Sequence, residues 1–248
     1  MTQVLLFDQE TQMTSTLLPR LDKRLHAHPL RKQLVGHPFF ECVKTKPATA
    51  DQVSIFLGQW WHPLHYFPTF LARTVAVLPD IGSKSAISRI LNQETGEGNP
   101  KRAHEVIYVD TMERVGFTAE QTSQMAPFPE TAKLIEGYQK AANNRYQALG
   151  FVFATEVADL AMVSGIGIAV ERVTGVRKLE WVDIHIEQEP DHVEQADFTM
   201  LMNFDDQEEA LVMIGAEEMW QLWIAFFDRL QHEVFGSLPK AVAAASCG

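Results

Sequence analysis

Three side chains of metal-binding type lie at helical spacing in the C-terminal third of the chain. In WVDIHIEQEPDHVEQADF, residues 181–198, the steps from His185 to Glu189 and on to His192 are four and three residues. On an α-helix these steps place all three side chains on one face. Pro190 lies between the second and the third, and a proline inside a helix removes a backbone N–H and bends the helix. The stretch alone therefore predicts either a metal site on a bent helix or a polar face that happens to contain two histidines.

A second candidate is a carboxylate inside an apolar helix. Residues 150–173, GFVFATEVADLAMVSGIGIAVERV, are apolar nearly all round, with Glu156 and Asp159 near the middle. Burying an unpaired charge is costly, and no Lys or Arg lies within about a turn of Glu156. This acid must therefore be protonated, hydrogen-bonded or bound to a metal. On this helix alone, a hydrogen-bonded acid is the simpler interpretation.

The third candidate is a pair of residues on either side of a break between two predicted helices. In ILNQETGEGNPKRAHEVIY, residues 90–108, Glu94 ends one helical run and His104 begins the next. Such a joint can direct two side chains from different helices at one point. A Glu and a His ten residues apart are nevertheless common by chance.

Taken together, these stretches supply three carboxylates and three imidazoles from four helical segments. The set is Glu94, His104, Glu156, His185, Glu189 and His192. An all-N/O set of this size suits two iron or manganese ions, and helical bundles bind such pairs through inward-facing Glu and His. Zinc sites usually have fewer ligands or cysteine, and calcium does not select histidine.

The elements that must position these residues are helices throughout. Strand signals are weak, and no repeat or linker divides the 248 residues. The predicted helices are 16–34, 49–78, 83–95, 100–115, 129–148, 149–174, 178–197 and 206–236. Pro63 and Pro68 predict that the second of these is kinked or split. We therefore predict one all-α domain over residues 1–248, a bundle of about seven to eight helices.

Composition narrows the setting. The net charge of −11 argues against nucleic acid and anionic membrane surfaces as partners. Two cysteines, Cys42 and Cys247, make neither a disulfide framework nor a zinc ribbon. The start, MTQVLLFDQETQ, is not a signal peptide, so a cytoplasmic protein is expected. The 150–173 stretch is long enough to span a membrane, but its two acids and the absence of a second such span favour a core helix, in which Gly165 and Gly167 allow close packing.

The order and spacing of these motifs resemble the haem-oxygenase-like diiron oxidases, relatives of the TenA and pyrroloquinoline-quinone-synthase fold. The resemblance runs from about Gln59 to Phe227. It rests on QWWHPLHYFPTFLA, on the Glu…Gly…Pro…His stretch, on FATEVADL, on the closing His-x3-(Asp/Glu)-x2-His and on MWQLWIAFFDRL. It implies a haem-oxygenase-like bundle with the six residues above as metal ligands and catalytic groups.

Two positions depart from the family pattern. Members usually carry Asp in the middle of the closing triplet, where this chain has Glu189; Asp191 is the alternative ligand if the bend at Pro190 reorganises the helix. His65 lies close to where some members place an extra carboxylate ligand. We interpret it instead as a pocket histidine, and we predict that the substrate pocket contains His65, Trp61, Phe153 and Asp159.

The resemblance implies a function. Two ferrous ions with O2 as cosubstrate would oxidise a small molecule, an amino acid or a carboxylic acid, by C–C cleavage, desaturation or N-oxygenation. Whether an external electron donor or a homodimer is involved is left open. The alternative is a metal-free protein of the same fold that hydrolyses or binds a heterocycle in the TenA manner. That type depends on a catalytic cysteine, and the central helices of this chain have none.

Overall fold

The computed structural model describes residues 20–236, and within this range the chain forms α-helices and no β-strand. The helices are α1 (Leu21–His26), α2 (Pro29–Val35), α3 (Pro38–Thr45), α4 (Ala50–Val77), α5 (Ile81–Glu94), α6 (His104–Arg114), α7 (Ala119–Thr122), α8 (Pro129–Ala141), α9 (Arg145–Thr174), α10 (Glu180–Thr199) and α11 (Asp206–Phe235). A 3-10 turn, Pro100–Arg102, precedes α6. The predicted all-α fold class is confirmed for these residues, and the domain bounds 1–248 stay a prediction.

The seven longer helices correspond to predicted ones, and the errors concern short elements and joints. The predicted helix 16–34 is two short helices, α1 and α2, and its first four residues lie outside the described range. Neither α3 nor α7 was predicted. Helix α4 runs unbroken through Pro63 and Pro68, so the predicted split is wrong. Helix α10 is likewise continuous through Pro190.

Side-chain caps fix where the long helices begin. Thr49 and Gln52 form a reciprocal capping box at α4, and Asp205 and Glu208 form another at α11. Asn144 accepts hydrogen bonds from the backbone N–H groups of Tyr146 and Gln147, the second and third residues of α9. These caps satisfy donors that have no partner within the helix, so the sequence itself determines the starts.

Helix α9 is the centre of the bundle and packs against α11, α10 and α4. At Gly150 the backbone of α11 comes so close that an added Cβ would lie 2.2 Å from the carbonyl oxygen of Val212. Gly165 similarly accommodates the ring of Phe40, whereas a Cβ at Gly167 would meet only ordinary contacts. Of the two glycines predicted to permit close packing, only Gly165 does so.

Both α9 and α11 are long and apolar enough to cross a membrane, with best windows of mean hydropathy 1.6 and 1.3. The expectation that the chain has no second span of this kind is therefore wrong. Inside the fold, 67% of the α9 window and 50% of the α11 window is buried. The two helices pack against each other, which accounts for their apolar character as core helices.

Candidate metal centre

A tight loop directs two chemically active residues at one point. Glu94 is the last residue of α5 and His104 the first of α6. Between them Gly96, Glu97 and Gly98 have φ values of 85°, 54° and 85°. A Cβ at Gly96 would lie 2.3 Å from the carbonyl oxygen of Asn99, so only glycine fits. The reversal brings the carboxylate and the imidazole together, with Glu94 Oε2 3.0 Å from His104 Nδ1.

The structure gathers all six predicted ligand residues into two adjacent buried groups. In each group, ligand atoms of the three residues lie within 4.8 Å of one another. One group is Glu94, His104 and His185; the other is Glu156, Glu189 and His192. His192, the imidazole of the second group, lies close to a carboxylate of each group. Its Nδ1 is 3.3 Å from Glu156 Oε2 and 3.9 Å from Glu94 Oε1. Glu94 therefore lies between the two groups.

Neighbouring groups hold two of the imidazoles in defined orientations. His185 Nδ1 donates to the backbone carbonyl of Trp181, one turn earlier on α10, at 2.7 Å. His104 Nε2 donates to Gln188 Oε1 at 3.0 Å. In each ring the other nitrogen is left with its lone pair facing the cluster, as in metal-binding histidines. The roles of Gln188 and Trp181 were not predicted. The role of Trp181 could have been, because a helix places its backbone carbonyl, four residues earlier, beside the ring of His185.

Several buried polar atoms of the cluster have no hydrogen-bond partner among the described residues. They are Glu156 Oε1, both carboxylate oxygens of Glu189, His192 Nε2, and His104 Nδ1, which lies 3.0 Å from Glu94 Oε2 without the geometry of a hydrogen bond. Leaving such atoms unpaired is costly, and native proteins rarely do so. These atoms are carboxylate oxygens and imidazole nitrogens, and they converge in two groups. The set therefore fits two iron or manganese ions.

Burial and neighbouring charges shift the pKa values of the ligand residues. Burial raises the pKa of Glu189 to about 12, with the Asp159 carboxyl adding to the shift. Burial opposes charge on His192, but neighbouring carboxylates outweigh it and raise the pKa to about 9. Burial together with a neighbouring imidazole lowers the pKa of His185 to about 3. Burial also opposes charge on Glu94, yet the imidazoles lower its pKa to about 2. Without a metal the cluster thus retains protons, and metal binding would displace them.

A small cavity adjoins the two groups. Its volume is about 30 Å³, room for about two water molecules. Its walls are mainly aromatic and aliphatic, and they include Trp60, Pro63, Leu64 and Phe67 of α4, Tyr138 of α8, Thr155 and Asp159 of α9, and Trp223 of α11. The Tyr138 hydroxyl lies 3.1 Å from Thr155 Oγ1. Neither of these two residues was predicted, because their approach depends on how α8 packs against α9.

Of the four predicted pocket residues, only Asp159 lines this cavity. Trp61 and His65 are each one residue beyond Trp60 and Leu64, about 100° further round α4, and they face outwards. The His65 side chain is 61% exposed, and its Nδ1 lies 2.6 Å from Glu105 Oε2. Trp61 stacks on it, with ring centroids 5.2 Å apart.

The fourth predicted pocket residue, Phe153, also lies elsewhere. It is fully buried, and its ring contacts that of His26 on α1 at 5.1 Å. Phe153 is two residues from Thr155, about 200° round the helix. It belongs to the packing between α9 and α1, and its assignment to the pocket is corrected.

Glu189 and Asp191, the two candidates for the middle of the triplet, lie in different surroundings. Glu189 is 3% exposed and belongs to the second group. Asp191 lies on the outer side of α10, where it forms an ion pair with Arg89 at 2.7 Å. The structure therefore places Glu189, and not Asp191, on the stripe of His185 and His192.

Known proteins resemble this chain in sequence pattern and in fold. A family described as iron-containing redox enzymes matches residues 54–224. No curated protein sequence matches the chain. A CADD-like protein of unknown function from Nostoc punctiforme superposes with a TM-score of 0.72 at 14% identity, over 86% of this chain and 95% of that one.

Two further solved structures share the fold. One is a domain of unknown function with a haem-oxygenase-like fold from Shewanella denitrificans, with a TM-score of 0.69 at 18% identity, over 86% and 91% of the two chains. The other is a TenA homologue from Pseudomonas syringae, with a TM-score of 0.67 at 14% identity, over 86% and 93%. At these identities the likeness shows the haem-oxygenase-like fold alone.

Proposed function

The chain belongs to the haem-oxygenase-like family of iron-containing redox enzymes, and from this premise we propose that it is a non-haem diiron oxidase. The observation that carries the proposal is the convergence of six buried carboxylate and imidazole residues, four of which have side-chain atoms without a hydrogen-bond partner. Its substrates would be O2 and a small molecule, an amino acid or a carboxylic acid.

Each part of the site has a role in this proposal. Glu94, His104 and His185 would hold one iron, and Glu156, Glu189 and His192 would hold the other. When bound, the irons supply the redox chemistry that reduces O2 and oxidises the substrate. The Trp181 carbonyl and Gln188 fix the two imidazoles from outside. The apolar walls of the cavity exclude bulk water, which protects reactive species from side reactions.

A cavity of about 30 Å³ can hold only a small head group of the substrate. The rest of the molecule requires the wall to move. Leu64 and Phe67, at 8% exposure each, are more exposed than Trp60, Tyr138 and Trp223 on that wall. They are therefore the side chains that we expect to move.

A metal-free activity of the TenA type is the alternative, since a TenA homologue shares the fold. That chemistry needs a nucleophilic cysteine beside the substrate. The one cysteine of the described range, Cys42, is buried on α3 and does not line the cavity. This alternative also leaves the unpaired oxygens of Glu189 without an explanation.

The deciding experiment is anaerobic loading with ferrous iron, removal of the excess, and metal analysis, followed by O2 with the visible spectrum recorded over time. We expect two irons per chain and a transient absorption after O2. Glu156→Gln keeps the side-chain volume but removes the charge, so it should abolish the O2 reaction while circular dichroism stays unchanged. Glu187→Gln, an exposed change on α10, is the matched control. Wild-type protein that binds no iron would refute the proposal.

A further inference from the structure

A continuous path of aromatic rings joins the ligand residue His185 to the protein surface. The indole of Trp181 lies 4.3 Å from the His185 ring, measured between ring centroids. Tyr108 packs against Trp181 at 5.0 Å, and Trp61 packs against Tyr108 at 6.4 Å. Trp61 in turn stacks on His65, which is exposed. Rings in contact transfer electrons far better than separated ones, because tunnelling weakens steeply with the gap that the electron crosses.

Trp181 is the inner end of this path, and its surroundings determine what it can do there. It is fully buried, and within residues 20–236 its Nε1 has no hydrogen-bond partner. If this indole loses an electron, no base takes its proton, so the positive charge stays on the ring. Burial makes that charge costly. Trp181 can therefore pass an oxidising equivalent on, but it cannot hold one cheaply.

Tyr108 lies between the two tryptophans and is suited to bridging them. Its hydroxyl donates to the backbone carbonyl of Leu57 at 2.8 Å. A tyrosine loses an electron readily only when its proton leaves as well, and a carbonyl oxygen is too weak a base to accept that proton. The Tyr108 ring is therefore the medium through which an electron tunnels between Trp61 and Trp181.

Trp61 is the outer end of the path. It is half-buried, and the exposed His65 ring on which it stacks lies 2.6 Å, at Nδ1, from a carboxylate oxygen of Glu105. Water and this carboxylate stabilise a positive charge better than the interior does. Trp60, which also contacts Trp181 at 6.1 Å, is buried and gains no such stabilisation. An oxidising equivalent at Trp181 therefore moves outward, to a ring that soluble reductants can reach.

We propose that Trp181, Tyr108 and Trp61 form a relay that carries oxidising equivalents from the metal centre to the surface when O2 reacts without substrate. This inference rests on the proposed function. Reduction of O2 to two water molecules takes four electrons, of which two ferrous ions supply two and a bound substrate the other two. Without substrate, Trp181 gives up each missing electron, Trp61 restores it, and a soluble reductant such as ascorbate restores Trp61, while solvent supplies the protons. The relay protects the ligand residues from oxidation.

The test is rapid mixing of ferrous-loaded protein with O2 in the absence of substrate, followed by freezing and electron paramagnetic resonance. Ring-deuterated tryptophan in the protein distinguishes a tryptophan radical from a tyrosine radical. We expect a tryptophan radical that ascorbate removes and, without ascorbate, oxidised Trp61 in peptide mass spectra. Trp181→Phe should lose the oxidation of Trp61 and accumulate oxidised ligand histidines. Its iron content should stay unchanged, because the Trp181 carbonyl that holds His185 belongs to the backbone.

Three further variants locate the path. Tyr108→Phe keeps the ring and removes only the hydroxyl, so it should retain the oxidation of Trp61. Trp61→Phe should leave a radical that ascorbate removes more slowly, because the remaining rings of the path are buried. Trp220→Phe is the matched control. Trp220 is a fully buried tryptophan outside the path, with its Nε1 bonded to the Ala154 carbonyl, and its replacement should change neither signal.

Several results would overturn the inference. They are oxidation of Trp61 that persists in Trp181→Phe, loss of that oxidation in Tyr108→Phe, and a radical that disappears only in Trp60→Phe. Hydrogen peroxide added to the ferric-loaded protein tests the relay separately, because peroxide needs two electrons to become water and the relay can supply both. If peroxide oxidises Trp61 through Trp181 but the ferrous protein does not consume O2, the proposed oxidase function fails while the relay stands. If neither oxidant gives a tryptophan radical or oxidised Trp61, the relay is refuted.

Discussion

Glu189 and Asp191 are two residues apart on α10, and the difference in their surroundings leads to a direct test. Glu189 has two buried oxygens without partners, and Asp191 has Arg89. We expect Glu189→Ala to lose one iron per chain on ferrous loading. Asp191→Ala should keep both irons and leave the melting temperature nearly unchanged, because it breaks only a partly exposed ion pair.

Metal analysis of the two variants decides between them. Glu189→Asp is the conservative control and should retain iron with weaker binding, since the carboxylate stays but its reach shortens by one methylene. Iron loss in Asp191→Ala alone would show that α10 reorganises around Pro190 when metal binds.

The residues that form the metal site could be predicted from the sequence. Which side chains face the cavity could be predicted only in part. Spacing of four and three residues fixes His185, Glu189 and His192 on one stripe whatever surrounds α10. Trp60 and Trp61 are adjacent identical residues on a helix that is apolar on more than one side, so periodicity does not distinguish the one that faces the cavity. Only the packing of α4 against α6 and α11 resolves it.

At the scale of elements, the close contact between α9 and α11 leads to a second prediction. Gly150→Ala would place a Cβ 2.2 Å from a backbone oxygen of α11, and backbone cannot rotate away as a side chain can. We expect it to lower the free energy of unfolding by about 1–3 kcal/mol or more, as overpacking does. Thermal or urea unfolding followed by circular dichroism measures the change.

Gly167→Ala, in the same helix, is the matched control. Its Cβ would meet Val182 at 3.5 Å, an ordinary contact. It should therefore raise stability by about 0.5–1 kcal/mol through helix propensity. Equal destabilisation by both substitutions would contradict the role given to the contact between α9 and α11.

Long helices could be predicted because their start signals are local, as with the capping boxes at Thr49 and Asp205. The short helices α3 and α7, of eight and four residues, have too few turns for a periodic pattern to show. The joint at Asn143–Asn144 was placed five residues late, because neither Pro nor Gly marks it and the Asn144 cap is its local signal. The tertiary contacts that form the cavity have no local signal at all.

At the scale of the whole molecule, the charged cluster makes stability depend on pH. The pKa of Glu189 is raised from 4.5 to about 12, and that of His192 from 6.5 to about 9. A raised pKa adds stability below the unfolded-state value, and the folded protein loses it as pH rises towards the folded value. His185, with its lowered pKa, changes stability only below pH 6.5.

The free energy of unfolding of the metal-free protein should therefore fall between pH 6.5 and 9, by up to about 1.4 kcal/mol per pH unit for each group, and the melting temperature should fall with it. Bound metal takes the place of the protons, so the stabilisation that metal gives should grow over the same range. Calorimetric melting curves with and without ferrous iron measure both effects. Glu189→Gln should flatten the pH dependence of stability in the metal-free protein, and an unchanged slope would show that Glu189 does not hold the proton.

A cytoplasmic location, a homodimer and an external electron donor stay predictions that these measurements do not address.

Three of the five tryptophans form a connected cluster beside the ligand residues. Trp60 contacts Trp181 at 6.1 Å and Trp223 at 5.3 Å between ring centroids, and Trp181 lies 4.3 Å from the ring of His185. Excitation absorbed by one indole can thus pass to the next and reach the ring nearest the ligands. Iron bound there would quench the emission, so the intrinsic fluorescence of the protein should report the filling of the site without any added label.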